Sequence, residues 1–164
     1  MSSSDTWDVV GYDPTLHKHF CLDAYLKGTK KATIPYHATD RQYYDFAEPI
    51  LTELLTHPDT DTLVVTPRDM PDTYAGYIVA RKPMGSWAGC LDYLYVKRAY
   101  RGLGAAKELT RRLPWDFYAI GEYSFPANVR QRRLLDALGL VYNPYSMYTT
   151  VSGSRYENNW EKLV

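Results

Sequence analysis

The sequence lacks most of the features that would place it in a specialised class of protein. It contains two cysteines in 164 residues, Cys21 and Cys90, and their wide separation fits neither a disulfide framework nor a metal-binding pair. No apolar run approaches the roughly 20 residues of a membrane-spanning helix. The N-terminus has neither the basic nor the apolar segment of a secretory signal. These absences predict a cytoplasmic protein in a reducing environment, with no metal centre and no membrane contact.

An excess of charge of one sign is also missing, since 19 basic residues balance 19 acidic ones. This balance gives no indication of a nucleic-acid partner. The length suits a single domain over residues 1–164, with a core of about residues 7–151 and a tail, 152–164, that no pattern places. Tyrosine is abundant, at 16 residues. It favours half-buried strands and a pocket lined by aromatic rings.

The most informative stretch runs from Cys90 to Leu113. Its first part alternates as a β-strand does, and its last part carries Leu109 and Leu113 at helical spacing. Between them, Arg101–Ala106 supplies two glycines and two alanines where a strand must turn into a helix. Small residues leave the backbone N–H groups of such a turn free to surround a phosphate. On these residues alone, a nucleotide and coenzyme A fit equally well.

Periodicity and turn residues predict the remaining elements and a mixed α/β sheet. The order is strand, two helices, three strands, helix, strand, helix and one or two strands, so antiparallel hairpins come first and parallel crossovers follow. The predicted strands are Trp7–Tyr12, Thr62–Thr66, Tyr74–Lys82, Cys90–Val96, Asp116–Tyr123, Leu140–Tyr142 and Ser146–Val151. The predicted helices are Leu16–Leu26, a segment from Thr39 or Asp40 to Pro58, Ala105–Leu113 and Asn128–Leu138.

Several details of these helices are open to a structural test. Gly28 is expected to end the first long helix, and Pro49 to break or kink the second. His17 and His19 lie two residues apart, which places them on different sides of a helix and disfavours a shared metal ion. The residues expected to face the core are Leu16, Phe20, Ala24 and Tyr25, then Phe46, Ile50, Leu54 and Leu55, and in the last helix Leu134, Leu135 and Leu138.

The element order and two motifs resemble the GCN5-related N-acetyltransferase (GNAT) family. The acetyl-CoA signature of that family is Arg or Gln, two residues, Gly, one residue, then Gly or Ala, and Arg101–Ala106 fits it. A second motif has an Asn that begins the next helix and a Gly with an apolar residue eleven positions later, as Asn128 and Gly139–Leu140 do here. The likeness extends over most of Trp7–Val151 and implies a GNAT-like acyl-CoA N-acyltransferase fold.

This resemblance implies acetyl-CoA as the cosubstrate and an amine as the acceptor. The backbone N–H groups of Leu103, Gly104, Ala105 and Ala106 would hold the pyrophosphate, while Arg101 and Gly102 shape the turn. The pantetheine arm would pair with the backbone of Tyr95 and Val96, between two strands that splay apart, and Asn128 would contact the arm further along. Hereafter Arg101–Ala106 is called the donor turn.

The implied reaction is attack of the acceptor amine on the thioester, which needs a base and a proton donor for the leaving thiolate. Here the chain departs from the family pattern. Leu135 occupies the position where many relatives carry a donor tyrosine, and Cys90 the position where some carry a base glutamate. Asp92 is the nearest carboxylate on the face of Cys90, and the alternative is an aspartate that serves only a structural hydrogen bond.

Tyr142, Tyr145 and Tyr148 can each replace the missing proton donor, and Tyr142 is preferred because it follows the second motif most closely. Asp92 and Tyr142 are therefore the predicted catalytic pair. The leading hypothesis is an N-acetyltransferase that acts on a primary amine of a small molecule or protein. The alternative is a weakly active or inactive GNAT-like module for CoA binding or protein interaction. Tyr36 and His37 are acceptor-site candidates, and a homodimer is one open alternative for the oligomeric state.

Overall fold

The computed structural model describes residues 3–33, 39–86 and 88–146 of the chain. The predictions for Tyr36, His37, Tyr148, the last strand beyond Ser146 and the tail fall outside these ranges. The strands are β1 Trp7–Gly11, β2 Thr60–Pro67, β3 Gly76–Arg81, β4 Gly89–Val96, β5 Ile120–Tyr123 and β6 Val141–Tyr142. The α-helices are α1 Ser3–Thr6, α2 Pro14–Thr33, α3 Asp40–Thr56, α4 Ala105–Arg111 and α5 Val129–Ala137.

The six strands form one sheet in the order β1-β2-β3-β4-β5-β6. The pairs from β1 to β4 are antiparallel, whereas β4–β5 and β5–β6 are parallel. The physical reason lies in the connections, because a short loop reverses the chain between β2 and β3, while α4 and α5 carry it back across the sheet before β5 and β6. The predicted mixed sheet is therefore confirmed.

Strands β4 and β5 pair over a short length and then separate. Their register begins at Gly89 with Ile120 and ends at Leu91 with Tyr123. One more contact follows, from the N–H of Ser124 to the carbonyl of Leu91 at 3.1 Å. Beyond it, β4 continues to Val96 and pairs with β3 alone among the described strands. The splay leaves one backbone edge of β4 open.

A β-bulge on β4 lies where the two strands part. Val79 of β3 is opposite Tyr93, but the next residue, Ala80, is opposite Leu91. Asp92 is therefore the extra residue of β4 against β3. A bulge of this kind bends the strand and turns the neighbouring side chains and peptide groups away from regular alternation.

Helix α2 continues through Gly28 to Thr33, so the predicted end at Gly28 is wrong. Glycine is required there for a different reason. A Cβ atom at position 28 would lie 2.2 Å from the hydroxyl oxygen of Tyr93, so the tyrosine or the helix would have to shift to admit it. One turn of the helix thus lies directly against the Tyr93 ring. The next residue, Thr29, donates its hydroxyl to the carbonyl of Tyr25 at 2.8 Å and keeps the helix hydrogen-bonded.

Helix α3 continues through Pro49 without the predicted break. Both halves of the helix are held independently of the hydrogen bond that proline cannot donate. Thr39 and Gln42 form a capping box at the N-terminus, with distances of 3.2 and 2.7 Å. The buried residues are Tyr43 before the proline and Leu51, Leu54 and Leu55 after it.

The inward faces of the helices differ from the prediction at four positions. Their exposed fractions show this directly, since Leu16 is 59% exposed, Phe46 52%, Leu134 62% and Leu138 51%. In α2 the first buried positions are instead His17 and Cys21, each one residue further along, and the buried face continues with Leu22, Tyr25, Leu26 and Thr29. The backbone N–H of Asp13 donates to Nδ1 of His17 at 2.9 Å, which lets that polar ring point inward. An imidazole can thus occupy a core position once its nitrogen has a partner.

The predicted strand Asp116–Tyr123 is also shorter than expected. Its first half, Phe117–Ala119, forms a 3₁₀ turn, and β5 begins only at Ile120. The side chain of Asp116 caps this turn by accepting from the N–H of Tyr118 at 3.0 Å. The local hydrogen bond competes with strand pairing and delays the start of β5.

Candidate active site

The donor turn begins at Arg101, immediately after the one-turn 3₁₀ helix Arg98–Tyr100 that follows β4. Gly102 has φ of 76° and Gly104 has φ of 88°, both in the left-handed region that favours glycine. Gly104 is the N-cap of α4. The sequence prediction of a glycine-dependent turn between this strand and this helix is confirmed, whereas phosphate binding there stays a prediction.

Two side chains hold the donor turn, one at its first residue, Arg101, and one at its third, Leu103. Nε of Arg101 donates to the carbonyl of Val96 at 2.9 Å, which ties the start of the turn to the end of β4. The indole Nε1 of Trp7 donates to the carbonyl of Leu103 at 3.0 Å. Sequence reasoning missed Trp7, because no local signal relates it to a residue 96 positions away.

The predicted pantetheine contacts lie along the open edge of β4. Tyr95 pairs with Tyr77 of β3, and Val96 pairs with Gly76, so one side of this segment is already hydrogen-bonded. The other side faces the gap left by β5. An extended ligand with amide groups can pair with such an edge in the way that an added strand does.

Asn128 caps α5 as predicted. Its side-chain oxygen accepts from the N–H of Gln131 at 2.8 Å, and the Gln131 side chain accepts from the N–H of Asn128 at 2.9 Å. This capping box occupies the Asn128 oxygen, while the residue itself is exposed. The structure therefore demonstrates the structural role, and a contact with the cofactor arm stays a prediction.

Asp92 lies at the centre of a buried polar cluster at the base of the splay. Its carboxylate is fully buried and forms a bidentate ion pair with Arg81. Nε and Nη2 of Arg81 lie 2.7 and 2.8 Å from the two carboxylate oxygens. The hydroxyl of Ser124 donates to the same carboxylate at 2.5 Å, and the thiol of Cys90 lies 3.5 Å from it. We call these residues, with Ser146, the Asp92 cluster. It joins β3, β4 and the end of β5 at one point.

Arg81 extends the Asp92 cluster to the end of the described chain. It donates to the carbonyl of Ser146 at 2.8 Å and to its hydroxyl at 2.9 Å. Burial first, and the Asp92 carboxylate second, raise the pKa of the Cys90 thiol to about 12. The thiol is therefore protonated at neutral pH and is unsuited to act as base or nucleophile.

Tyr142 lies on β6, on the far side of β5 from the splay. It pairs with Tyr123, and the two rings stack at 5.1 Å between centroids. Burial and the neighbouring Tyr123 raise the pKa of Tyr142 above its ordinary value, so its hydroxyl is protonated at neutral pH, as an ordinary tyrosine's is, and is a weaker acid. Tyr123 in turn contacts Phe125, and Phe125 contacts Tyr93 of β4 edge-on at 5.5 Å. A row of aromatic rings thus bridges the splay and ends at Tyr142.

The structure separates the other candidates plainly. Leu135 is buried in the core, and its aliphatic side chain has no proton to donate. Tyr145 is 74% exposed. His17 is buried and His19 exposed, which confirms that they face different sides of α2. Within the described ranges, no three His, Cys, Asp or Glu side chains lie close enough together to hold a metal ion.

None of the helices in the described part of the chain is both long enough and apolar enough to cross a membrane.

Comparison with known structures supports the fold assignment. YycN from Bacillus subtilis, a candidate acetyltransferase, superposes with a TM-score of 0.57 at 16% identity, over 84% of this chain and 94% of its own. An aminoglycoside 6'-N-acetyltransferase from Acinetobacter baumannii gives a TM-score of 0.51 at 16% identity, over 82% and 90% of the two chains. A candidate acetyltransferase from Pyrococcus furiosus gives 0.51 at 12% identity, over 93% and 91%. At these identities the likeness concerns the fold.

Sequence comparison supplies the family. No protein with a curated description matches the chain. The profile of the acetyltransferase (GNAT) family, however, matches residues 25–114, which is more than half of the sequence and includes β4 and the donor turn. The family resemblance drawn from the two motifs is confirmed. The chain belongs to the acetyltransferase (GNAT) family.

Proposed function

We propose that this protein is an acetyl-CoA-dependent N-acetyltransferase that acetylates a primary amine of a small molecule or protein. The observation that carries the proposal is the position of the donor turn at the end of the open edge of β4. Beyond Leu91 this edge faces no described strand, so it offers backbone groups to an amide-containing arm, with the carbonyl of Val96 already accepting from Arg101; the turn offers N–H groups to an anion. Acetyl-CoA carries both features in one molecule.

In the proposed complex, the N–H groups of Leu103, Gly104, Ala105 and Ala106 hold the pyrophosphate. Arg101 and Gly102 shape the turn, and the hydrogen bond from Arg101 to Val96 keeps it in line with the edge of β4. The arm then runs along Tyr95 and Val96 toward the bulge at Asp92. Asn128 contacts the arm from the start of α5.

The reaction is direct transfer. The neutral amine nitrogen bonds to the thioester carbonyl carbon, the carbon–sulfur bond breaks, and the thiolate takes up the proton that the amine loses. Backbone N–H groups of β4 beside the bulge polarise the carbonyl. Tyr142, at the end of the row of rings that bridges the splay, is the proposed relay: its hydroxyl donates to the thiolate and then regains the proton that the amine loses.

The geometry of Asp92 favours a positioning role over direct proton abstraction. Both carboxylate oxygens accept from Arg81, and Ser124 occupies one of them as well. A base in this environment has to give up part of a buried ion pair before it can take a proton. Asp92 instead holds the bulge and the end of β5 in register. Its role as a general base stays a prediction that a pH profile can test.

The acceptor proposed is an amine presented at the splay. The aminoglycoside 6'-N-acetyltransferase that shares this fold suggests amino sugars as members of a first substrate panel. Polyamines and peptides with free amines complete it.

Calorimetric titration with CoA and acetyl-CoA tests the binding half of the proposal, and thiol release with the amine panel tests the catalytic half. Binding with turnover supports the enzyme. Binding without turnover on any amine supports the alternative of a CoA-binding module, which the buried Leu135 and the fully engaged Asp92 favour. Absence of any heat with either ligand would overturn both.

A further inference from the structure

The indole of Trp7 connects the first strand of the sheet to the donor turn. Trp7 is 3% exposed, and its Nε1 donates to the carbonyl of Leu103 at 3.0 Å. Its ring also contacts Tyr100 edge-on, with centroids 5.9 Å apart and planes at 83°. Tyr100 immediately precedes the donor turn. The indole is thus held by the sheet on one side and by the residue before the turn on the other, so its N–H has a fixed direction.

That hydrogen bond determines the orientation of one peptide group in the turn. The carbonyl of Leu103 and the N–H of Gly104 belong to the same trans peptide, in which the two bonds point in opposite directions. Because the carbonyl points inward to the buried Trp7, the N–H of Gly104 points to the opposite side, away from the core. Glycine rotates easily about its backbone bonds, so the local sequence does not impose this orientation.

We infer that Trp7 is a positioning residue for the donor site, which keeps the N–H of Gly104 directed at the pyrophosphate. The inference rests on the proposed function, since it assumes that the turn holds a phosphate group. Trp7 itself does not contact the ligand. Its effect is to prevent the Leu103–Gly104 peptide from turning over, which would present a carbonyl oxygen to an anion.

The chain offers a matched control in Trp115. Its indole Nε1 donates to a carboxylate oxygen of Asp61 at 2.6 Å, so it also joins two distant segments through one hydrogen bond. Neither Trp115 nor Asp61 belongs to the donor turn. Replacing either tryptophan by phenylalanine removes one N–H donor and retains an aromatic ring.

The experiment compares CoA with pantetheine, which has the same thiol arm but no pyrophosphate. Trp7→Phe is expected to weaken CoA binding by about 2- to 10-fold, the range for one lost hydrogen bond, and to leave pantetheine affinity unchanged. Trp115→Phe is expected to alter neither affinity. CoA is measured by calorimetry and pantetheine by NMR titration. Unchanged CoA affinity in Trp7→Phe, or an equal loss for both ligands, would overturn the inference.

A measurement on the unaltered protein covers the case in which Trp7→Phe does not fold. The assigned indole N–H signals of 15N-tryptophan-labelled protein are followed by hydrogen exchange with and without CoA. Slower exchange at Trp7 on binding, with no change at Trp115, supports the inference, and equal exchange at Trp7 in both states contradicts it. If the unaltered protein binds no CoA, the proposed function fails first and the inference with it. If the protein binds CoA but hydrogen exchange at the indole N–H of Trp7 does not slow, only the inference fails.

Discussion

At the scale of single residues, the Asp92 cluster shows how burial changes the meaning of a charged side chain. Asp92 and Arg81 are almost completely buried and bonded at two points, whereas Asp8 and Arg68 form a single contact at 3.0 Å with about half of each side chain exposed. Solvent screens the second pair but not the first. Loss of one partner is therefore expected to lower the free energy of unfolding much more for the buried pair than for the exposed pair.

Asp92→Asn is expected to lower the free energy of unfolding by about 3 kcal/mol, because it leaves the Arg81 guanidinium buried without a countercharge. The matched variant Asp8→Asn is expected to cost less than about 1 kcal/mol. Urea denaturation of both variants measures the difference. Equal losses in the two would show that the buried pair contributes no more than the exposed one.

The same variant separates the two roles considered for Asp92. If Asp92 only holds the bulge, Asp92→Asn lowers kcat at every pH and keeps the acidic limb of the kcat/KM profile. If Asp92 is the general base, the variant loses its acidic limb, because that limb reports protonation of the base. A pH series from the same substrate assay decides between them, with Asp8→Asn as the reference.

At the scale of elements, the donor turn and helix α2 both depend on a glycine, but for different reasons. The turn needs positive φ at Gly102 and Gly104, a property of the backbone alone. Helix α2 needs an absent side chain at Gly28, a property of what the helix packs against. Substitutions at the two kinds of site are expected to affect different measurements.

Gly104→Val is expected to reduce CoA affinity by more than about tenfold, because a branched side chain strains a φ of 88° and crowds the N–H groups of the turn. Gly139→Val is the control, since Gly139 also has positive φ, at 79°, but follows α5 and lies outside the donor turn. The Gly139→Val variant is expected to introduce similar backbone strain but to keep its affinity for CoA. Calorimetry with CoA measures both, and retained affinity in Gly104→Val would mean that the phosphate lies elsewhere.

Gly28→Ala is expected to destabilise the protein by about 1–3 kcal/mol, because the new methyl group overlaps the Tyr93 hydroxyl. The usual gain from alanine in a helix opposes this effect but is smaller, at about 1 kcal/mol. Tyr93→Phe removes the overlapping oxygen, so the double variant is expected to be more stable than Gly28→Ala alone. Gly11→Ala, where nothing lies within 4 Å of the added atom, is the control for denaturation experiments. A Gly28→Ala protein as stable as the unaltered chain would contradict the close approach of α2 to β4.

At the scale of the whole molecule, buried thiols and a buried tyrosine hydroxyl make the free energy of unfolding depend on pH in the alkaline range. Burial raises the pKa of the thiols of Cys21 and Cys90 from 9.0 to about 12, and that of Tyr93 from 10.0 to about 12. In each case the folded state favours the uncharged form. The core that covers the sheet thus contains several groups that resist ionisation.

The contribution of these groups to the free energy of unfolding is therefore expected to stay constant up to about pH 9. It then falls as the pH rises toward 12. The sign follows from linkage, because the unfolded chain loses these protons first, and each thiol contributes a slope of about 1.4 kcal/mol per pH unit in that window. Urea denaturation at pH values from 7 to about 11 measures the decline. Cys21→Ala is expected to show a shallower slope, and a stability independent of pH above 9 would contradict the burial of these groups.

The sequence by itself determined the order of strands and helices from β1 onward, the mixed sheet, the donor turn and the cap at Asn128, whereas the short helix α1 was not predicted. These features depend on local chemistry: alternation within a strand, left-handed glycines within a turn, and a side chain that bonds a backbone N–H three residues away. The family resemblance drew on the same local motifs. For that reason the residues of the donor turn were predicted correctly as a turn before any tertiary structure was considered.

Only the tertiary structure decided which way each helix faces and what each polar residue contacts. His17 replaced Leu16 on the inner face of α2, and Gly28 continued a helix that it was expected to end, because packing against the sheet outweighs local preference. Asp92 pairs with Arg81 from a neighbouring strand, so the residue predicted as a base lies at the centre of a buried ion pair. The bond from Trp7 to Leu103 joins residues 96 positions apart, and no local pattern can encode such a contact.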